Sequence, residues 1–297
     1  MLPVFSDPTM AAHDPRGPDQ PARLTMALDA LEGLEGIEIR AVSPATRDEL
    51  VRVHQEAYVD RLLASAGTPM ALDPDTNTSE RSIDAALLAA GAARDAVNAV
   101  LDGPERRAFA LVRPPGHHAL AGTSMGFCLF NNVVVGAAAA KARGVQRVLI
   151  VDWDVHHGNG TEALAADEPD WLFFSTHQAG MGFYPGTGLT SRGNALNVPL
   201  PAGAGDGQLL ASFREVLRPA AAAFEPELVL VSAGFDAHLA DPLASLRATT
   251  EGYAALCREV IGLADAHADG RLVLVLEGGY DLDALASCVV ACAKTLR

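Results

Sequence analysis

Five short apolar runs separated by helix-like segments limit the fold more than any other feature of this sequence. The runs are FALV (109–112), RVLIV (147–151), WLFFS (171–175), ELVLVSA (227–233) and RLVLVLE (271–277). The helix-like segments lie at residues 80–101, 131–143, 206–224, 249–267 and 281–295. Nearly continuous apolar strands alternating with helices are typical of a parallel sheet that is buried on both faces. The chain shows no repeat and no long linker, so the pattern predicts a single α/β domain over residues 1–297, with a mostly parallel sheet between two helical layers.

The composition limits the kinds of partner. Lys and Arg number 22 against 37 Asp and Glu, which gives a formal net charge of −15, and the basic residues form no cluster. This charge disfavours nucleic acid and anionic membranes and mildly favours cationic or neutral partners, although solubility alone explains an acidic surface.

The amino terminus lacks the features of a signal peptide, and the longest apolar run, VVVGAAAA (133–140), is short of the ~20 residues that a membrane helix needs. The four cysteines form no CxxC pair, so we expect buried free thiols and a cytoplasmic protein.

Polar and ionisable residues follow four of the apolar runs. RPPGHHA (113–119) follows the first, DWDVHHGNG (152–160) the second, GFDAHLADP (234–242) the fourth and GGYDL (278–282) the fifth. In an open parallel sheet, ligands bind beyond the carboxyl ends of the strands. The sequence therefore predicts an active site at that edge of the sheet, built from histidine, aspartate and tyrosine.

Several of these side chains suit a divalent metal ion. An extended chain has a period of two, which turns Asp152, Asp154 and His156 to one side, and Asp236 can add a ligand from another strand. Two carboxylates and an imidazole with an open position are typical of catalytic zinc, and iron(II) or cobalt suits the same donors. A structural zinc site is disfavoured because the cysteines form no cluster. A single such acid or histidine is more often a helix cap or a core residue, but recurrence after four strands favours a site.

Other catalytic motifs are weak or missing. GNG (158–160) lacks the third glycine of a dinucleotide-binding loop, and neither GxxxxGK[ST] nor GxSxG occurs. The glycines instead favour a sharp turn from the second run into a helix at 158–166.

Six motifs in order resemble those of one enzyme family. They are RPPGHHA, GFCLFNN (126–132), DWDVHHGNGT (152–161), YPGTG (184–188), SAGFDAH (232–238) and EGGYDL (277–282), with DPDT (73–76) upstream. The series resembles the zinc-dependent histone deacetylase-like amidohydrolases of the arginase/deacetylase fold. The bacterial acetoin-utilisation or class II-like branch is the most similar, because Asn159 stands where class I members have aspartate. The resemblance implies a hydrolase that removes acetyl or related acyl groups from acyl-lysine or a small acylated amine.

The resemblance also implies roles for individual residues around the reacting amide. The implied ligands of one catalytic Zn²⁺ are Asp154, His156 and Asp236. The implied general acid–base pair is His117 and His118, backed by Asp152 and Asn159 respectively. Tyr280 is expected to donate to the oxygen of the substrate carbonyl.

Further residues are implied around the substrate and at a second ion. The residues expected to contact substrate in an acyl tunnel and at its rim are Phe127, Tyr184, Leu243, Asp75, Gly126 and Gly278. A structural K⁺ or Na⁺ ion is expected at the backbone carbonyls of Asp152, Asp154 and His156 together with Ser175.

Several alternatives remain open at this point. An acetylpolyamine or other small-amide deacetylase would use the same mechanism, although Leu243 is apolar where a polyamine-selective relative carries an acidic gatekeeper. A binuclear manganese ureohydrolase would need further acids where Gly158 and His238 stand. A binding module without catalysis would not need Tyr280 or both histidines. A homo-oligomer is also compatible with the sequence.

Overall fold

The computed structural model describes residues 1–297 and contains one sheet of eight parallel strands. The strands are β1 (Leu2–Phe5), β2 (Ile37–Arg40), β3 (Arg107–Ala110), β4 (Val148–Asp152), β5 (Trp171–Gln178), β6 (Ala195–Leu200), β7 (Leu228–Ala233) and β8 (Leu272–Leu276). Their order across the sheet is β2-β1-β3-β8-β7-β4-β5-β6, and every neighbouring pair is parallel.

Helices cover both faces of this sheet. They are α1 (Ala22–Leu31), α2 (Arg47–Leu50), α3 (Glu56–Ala64), α4 (Ser82–Asp102), α5 (Asn132–Ala142), α6 (Asn159–Ala165), α7 (Asp206–Ser212), α8 (Arg218–Phe224), α9 (Thr250–His267) and α10 (Leu282–Leu296). A 3₁₀ turn lies at Pro8–Ala12, and a π-helical turn at Phe213–Leu217 joins α7 to α8. One layer contains the packed pair α4 and α5, while α1, α9 and α10 pack together in the other. None of the helices combines the length and the apolar character needed to cross a membrane.

The apolar runs form strands because both of their faces are covered. Every residue of β4, β7 and β8 is buried, which explains why these segments do not alternate polar with apolar residues. Side-chain caps stabilise the first turns of two helices that flank the sheet, α5 and α10. Asn131 accepts from the amide of Val134 at the start of α5, and Asp281 accepts from that of Ala284 at the start of α10.

The predicted parallel sheet with helices on both faces is confirmed, and all four cysteines are buried free thiols, as expected. The five predicted strands and the helix at 158–166 appear within a few residues of their predicted bounds. Three strands were not predicted, namely β1, β2 and β6. The register places Asp152 beside Ser232 and beside Ser175, so β4 and β7 end almost level with one another, while β5 continues to Gln178.

Candidate active site

Asp154, His156 and Asp236 meet at this carboxyl edge of the sheet. One ligand atom from each lies within 4.8 Å of the others. His156 Nδ1 is 3.2 Å from Asp154 Oδ1 and 3.1 Å from Asp236 Oδ2. Both carboxylates are completely buried. The structure thus brings together the three residues that the sequence suggested as metal ligands.

The surroundings of this cluster fit a divalent cation. The amide of Gly278 donates to Asp154 Oδ2 (2.8 Å), and that of Val155 donates to Asp236 Oδ1 (2.8 Å), which fixes both carboxylates. A Cβ atom at Gly278 would lie 2.2 Å from Asp236 Oδ2, so the chain approaches the cluster too closely for any other residue. Burial and the neighbouring Asp154 raise the pKa of Asp236 to about 7. Two buried acids beside one imidazole are a donor set that a divalent cation neutralises.

His117 and His118 lie beside the cluster with their ring centroids 4.0 Å apart. His117 Nδ1 is 3.0 Å from Asp152 Oδ2, and His118 Nδ1 is 2.7 Å from Asn159 Oδ1. Burial opposes a charge on His117, but the carboxylates of Asp154 and Asp152 raise its pKa well above the usual value. Burial and the positive charge of His117 lower the pKa of His118 well below it. The surroundings therefore favour the protonated form of His117 and the neutral form of His118.

The orientation of Asn159 decides which nitrogen of His118 is free. Asn159 Nδ2 donates to Met125 Sδ (3.2 Å), so Asn159 Oδ1 is the atom that faces His118. Since an amide oxygen only accepts, Nδ1 of His118 carries the proton. Nε2 of the neutral ring is then free to accept a proton.

Glu277 is a buried residue of the site that sequence analysis did not identify. Its Oε2 accepts from the backbone amides of Gly116 (2.6 Å) and His117 (3.1 Å), while Oε1 accepts from Ser232 Oγ (3.1 Å). Burial raises the pKa of Glu277 to about 7, although the positive charge of His117 acts to lower it. Glu277 therefore holds the loop that carries the paired histidines. The signal in the sequence is an acid at the end of the apolar run RLVLVLE.

Tyr280 is held from both sides. Its backbone amide donates to Asp241 Oδ2 (2.7 Å), and the guanidinium carbon of Arg23 lies 4.9 Å from its ring centroid. Arg23 in turn donates to the carbonyl oxygen of Gly279 (2.6 Å). Burial raises the pKa of Tyr280 well above its usual value, so the hydroxyl keeps its proton. Arg23 and Asp241 were not identified from the sequence, and nothing in the local pattern around Arg23 predicts its contact with a residue 256 positions away.

Phe127 lies on the other side of Tyr280, with its ring nearly perpendicular at a centroid distance of 6.0 Å. Gly126 and Phe127 both have positive φ angles, of 57° and 67°. Two hydrogen bonds hold this unusual backbone, from the amide of Gly126 to Asp75 Oδ1 (3.0 Å) and from that of Phe127 to Thr76 Oγ1 (3.1 Å). Asp75, expected at the rim, therefore also fixes the position of Phe127.

Tyr184 packs edge-on against His118, with centroids 5.1 Å apart and planes at 88°. The preceding Phe183, which sequence analysis did not single out, stacks on the imidazole of His156 at 5.3 Å and 5°. Leu243 lies further out, 38% exposed, with its amide bonded to Asp241 Oδ1 (2.9 Å). Two aromatic rings, Phe127 and Tyr184, therefore flank the approach to the cluster, with Leu243 toward solvent.

Two of the residues expected at the monovalent cation, Asp152 and Ser175, lie on neighbouring strands. Asp152 is the sheet partner of Ser175, and Ser175 Oγ lies 2.9 Å from His177 Nδ1. Burial and His157 lower the pKa of His177 to about 3, so this imidazole is neutral.

The positions of Gly158 and His238 argue against a second metal. A Cβ atom at Gly158 would lie 2.1 Å from Asp152 Oδ2, which leaves no space for an acidic side chain. His238 Nδ1 instead accepts from the amide of Ala240 (3.2 Å). The residues that could hold a metal ion here are thus Asp154, His156 and Asp236.

The fold and the arrangement of side chains together define a class of protein. It is the class of α/β proteins that have an Asp–His–Asp cluster at the strand ends and a histidine pair beside it.

The family model described as the histone deacetylase domain matches residues 17–296. A histone deacetylase-like amidohydrolase of Pseudomonas aeruginosa is 40% identical over 307 residues, which cover 99% of this chain and 80% of that protein. The human protein named polyamine deacetylase HDAC10 is 41% identical over 304 residues, covering 94% of this chain and 44% of that protein. The crystal structure of the HDA15 HD domain superposes with a TM-score of 0.94 at 36% identity, covering 99% of this chain and 88% of that one. The chain belongs to the histone deacetylase family.

Proposed function

We propose that this protein is a zinc-dependent amidohydrolase that removes acetyl or related acyl groups from lysine side chains or similar amines. The observation that carries the proposal is the convergence of Asp154, His156 and Asp236 beside the paired histidines. Membership of the deacetylase family supports the reaction type.

The three clustered side chains would hold the metal ion. When bound, such an ion polarises the substrate carbonyl and acidifies a water molecule. Because Asp154 and Asp236 already offset the charge of a divalent ion, acidification is weaker than with three neutral histidines. A separate general base is therefore required.

His118 is suited to that role. Its Nδ1–H is bonded to Asn159, so Nε2 is the atom that takes a proton from the attacking water and returns one to the leaving amine. His117 stays protonated between Asp152 and Asp154, with Nε2 3.7 Å from Asp154 Oδ1. Its positive charge stabilises the negative charge that develops on the reacting amide.

Tyr280 supplies the donor for the carbonyl oxygen. Its raised pKa means that it stays a neutral hydroxyl that donates rather than a phenolate that repels. A donor aimed at a developing oxyanion is worth more in the transition state than in the ground state.

The two aromatic walls fit a methylene chain with a polar amide at its end. Phe127 and Tyr184 offer apolar ring faces, while Asp75 at the rim offers a carboxylate for an amide N–H. An acetylated polyamine is the second candidate substrate, favoured by the 41% identity to the human polyamine deacetylase. The apolar, partly exposed Leu243 at the rim supports acyl-lysine as the first. A K⁺ or Na⁺ ion beside Ser175 forms part of the proposal, as a structural ion.

A substrate panel combined with elemental analysis tests this proposal. We expect turnover of acetyl-lysine peptides above acetylated polyamines, one divalent ion per chain, and inhibition by hydroxamates. Full activity after metal removal, or two tightly bound metals per chain, would contradict the mechanism. Tight binding of acetyl-lysine without any turnover would show a binding module instead.

A further inference from the structure

Two buried histidines that take no part in the proposed mechanism lie beneath the segment that carries Tyr184. His157 is 1% exposed and His177 is completely buried. In the segment above them, residues 184–188 (YPGTG), Gly186 and Thr187 are exposed and the other three residues are partly buried. We refer to it as the wall segment, because it begins with Tyr184.

The hydrogen bonds of the wall segment go to these two imidazoles. Thr187 Oγ1 lies 2.8 Å from His157 Nδ1, and His177 Nε2 lies 3.1 Å from the carbonyl oxygen of Gly188. No backbone group of residues 184–188 takes part in a backbone–backbone hydrogen bond. Apart from a turn at Tyr184 and Pro185, the segment therefore has no secondary structure of its own to hold it in place.

The donors and acceptors of this contact are fixed by the groups around the rings. A carbonyl oxygen only accepts, so Nε2 of His177 carries the proton, and Nδ1 accepts from the hydroxyl of Ser175 (2.9 Å). His157 Nε2 lies 2.8 Å from Glu162 Oε2, and a carboxylate this close requires a proton on that nitrogen, although the N–H is not aligned as a hydrogen bond. Nδ1 of the neutral ring then accepts from the hydroxyl of Thr187. The contacts thus assign one tautomer to each imidazole, and Nε2 of His157 faces the Glu162 carboxylate without an aligned hydrogen bond.

Gly188 shows how closely the segment lies on the histidines. Its φ angle is +73°, and a Cβ atom there would lie 2.5 Å from His157 Cδ2 and 2.7 Å from His177 Nε2. The two rings are themselves in contact, with centroids 4.7 Å apart. The backbone at Gly188 therefore rests directly on a floor of two imidazoles.

We propose that His157 and His177 are positioning residues, which set the width of the acyl tunnel by holding the wall segment and hence Tyr184. Tyr184 is three residues before Thr187, and its ring packs on His118. If the wall segment is released, the ring of Tyr184 is free to move outward, while the metal ligands and Tyr280 stay in place. The effect is then on substrate affinity and acyl-chain selectivity rather than on the chemical step. The inference rests on the proposed function for the role of the tunnel, but not for the position of Tyr184.

Thr187→Val is the main test, because it keeps the shape of the side chain and removes only the hydroxyl. Losing one ordinary hydrogen bond corresponds to about a fivefold change in an equilibrium constant. We expect KM for an acetyl-lysine peptide to rise about fivefold, with kcat changed by less than about twofold and with weaker discrimination against butyryl-lysine. Thr187→Ser, which keeps the hydroxyl, should retain the wild-type KM, kcat and discrimination against butyryl-lysine. Thr190→Val is the matched control, since Thr190 is exposed and its hydroxyl makes no hydrogen bond.

A second measurement reports on Tyr184 without any turnover. The chain has four tyrosines, so protein labelled with 3-fluorotyrosine gives four ¹⁹F resonances, and Tyr184→Phe identifies that of Tyr184. In Thr187→Val and in His177→Phe, we expect this resonance to shift or broaden while those of Tyr58 and Tyr253 stay unchanged. An unchanged Tyr184 resonance in Thr187→Val would overturn the inference, even if the enzyme proved active on acetyl-lysine. A perturbed resonance in a protein that turns over no acyl-amine would contradict the proposed function and leave the positioning role supported.

Discussion

Replacing Tyr280 by phenylalanine separates binding from catalysis more cleanly than any other single change. The ring should keep its place, because Phe127 packs against it at 6.0 Å, Arg23 lies 4.9 Å above it, and Asp241 holds its backbone amide. Only the hydroxyl is lost. In the ground state this costs one ordinary hydrogen bond, about 1 kcal/mol or fivefold in affinity. In the transition state the same oxygen carries negative charge, and losing the donor costs roughly 3–4 kcal/mol, or 10²- to 10³-fold in kcat.

The assay compares kcat with the dissociation constant of the same acetyl-lysine peptide, measured by calorimetry on the inactive variant. We expect kcat to fall by roughly two to three orders of magnitude while affinity changes at most about fivefold. Tyr253→Phe is the matched control, because Tyr253 is completely buried, packs on Phe235 at 5.0 Å and has a hydroxyl without a hydrogen-bond partner. A Tyr280→Phe enzyme with wild-type turnover would show that another group stabilises the oxyanion.

Three further changes test other parts of the structure. Asp236→Asn should reduce the bound metal to below one ion per chain by elemental analysis, and full occupancy would remove Asp236 from the ligand set. His118→Ala should lower kcat by roughly 10²- to 10⁴-fold with metal content unchanged. Turnover of the wild type should persist below pH 6.5, because burial and His117 lower the pKa of His118 and its neutral form is the base. Asp19→Asn should lower the free energy of unfolding by about 3–5 kcal/mol in a urea titration at neutral pH, since it leaves the buried guanidinium groups of Arg113 and Arg23 without their carboxylate. These two cations lower the pKa of Asp19 against the effect of burial. The carboxylate therefore contributes to the free energy of unfolding above its unfolded-state pKa, and this contribution is lost as the pH falls toward its folded-state pKa. A decrease in the free energy of unfolding below about 1 kcal/mol for Asp19→Asn would contradict the buried ion pair.

The amino-acid sequence by itself was enough to predict the central part of the sheet and the edge that carries the site. β4, β7 and β8 are continuous apolar runs because they are covered on both faces, and this leaves a pattern that is visible locally. Parallel strands all point the same way, so residues that follow different strands meet at one edge. Asp154 and Asp236 were therefore expected together although 82 positions separate them, and the structure brings them within ligand distance.

The outer strands were decided only by the tertiary structure. β1 has the sequence LPVF and β2 the sequence IEIR, four residues each, and β6 contains a proline and an asparagine. Such short or mixed segments have no strong preference of their own, and hydrogen bonds with a neighbouring strand make them extended. β6 pairs only with β5, at the edge of the sheet, where proline is tolerated.

The residues that orient the site were likewise beyond the local pattern. Glu277 holds the backbone of His117 from 160 positions away, and Arg23 holds the backbone before Tyr280 from 256 positions away. The chemistry-bearing residues follow strands, and strands leave a periodic signal. A residue that supports them from another part of the chain needs only the right side chain at the right point in space, and no spacing in the sequence records that position.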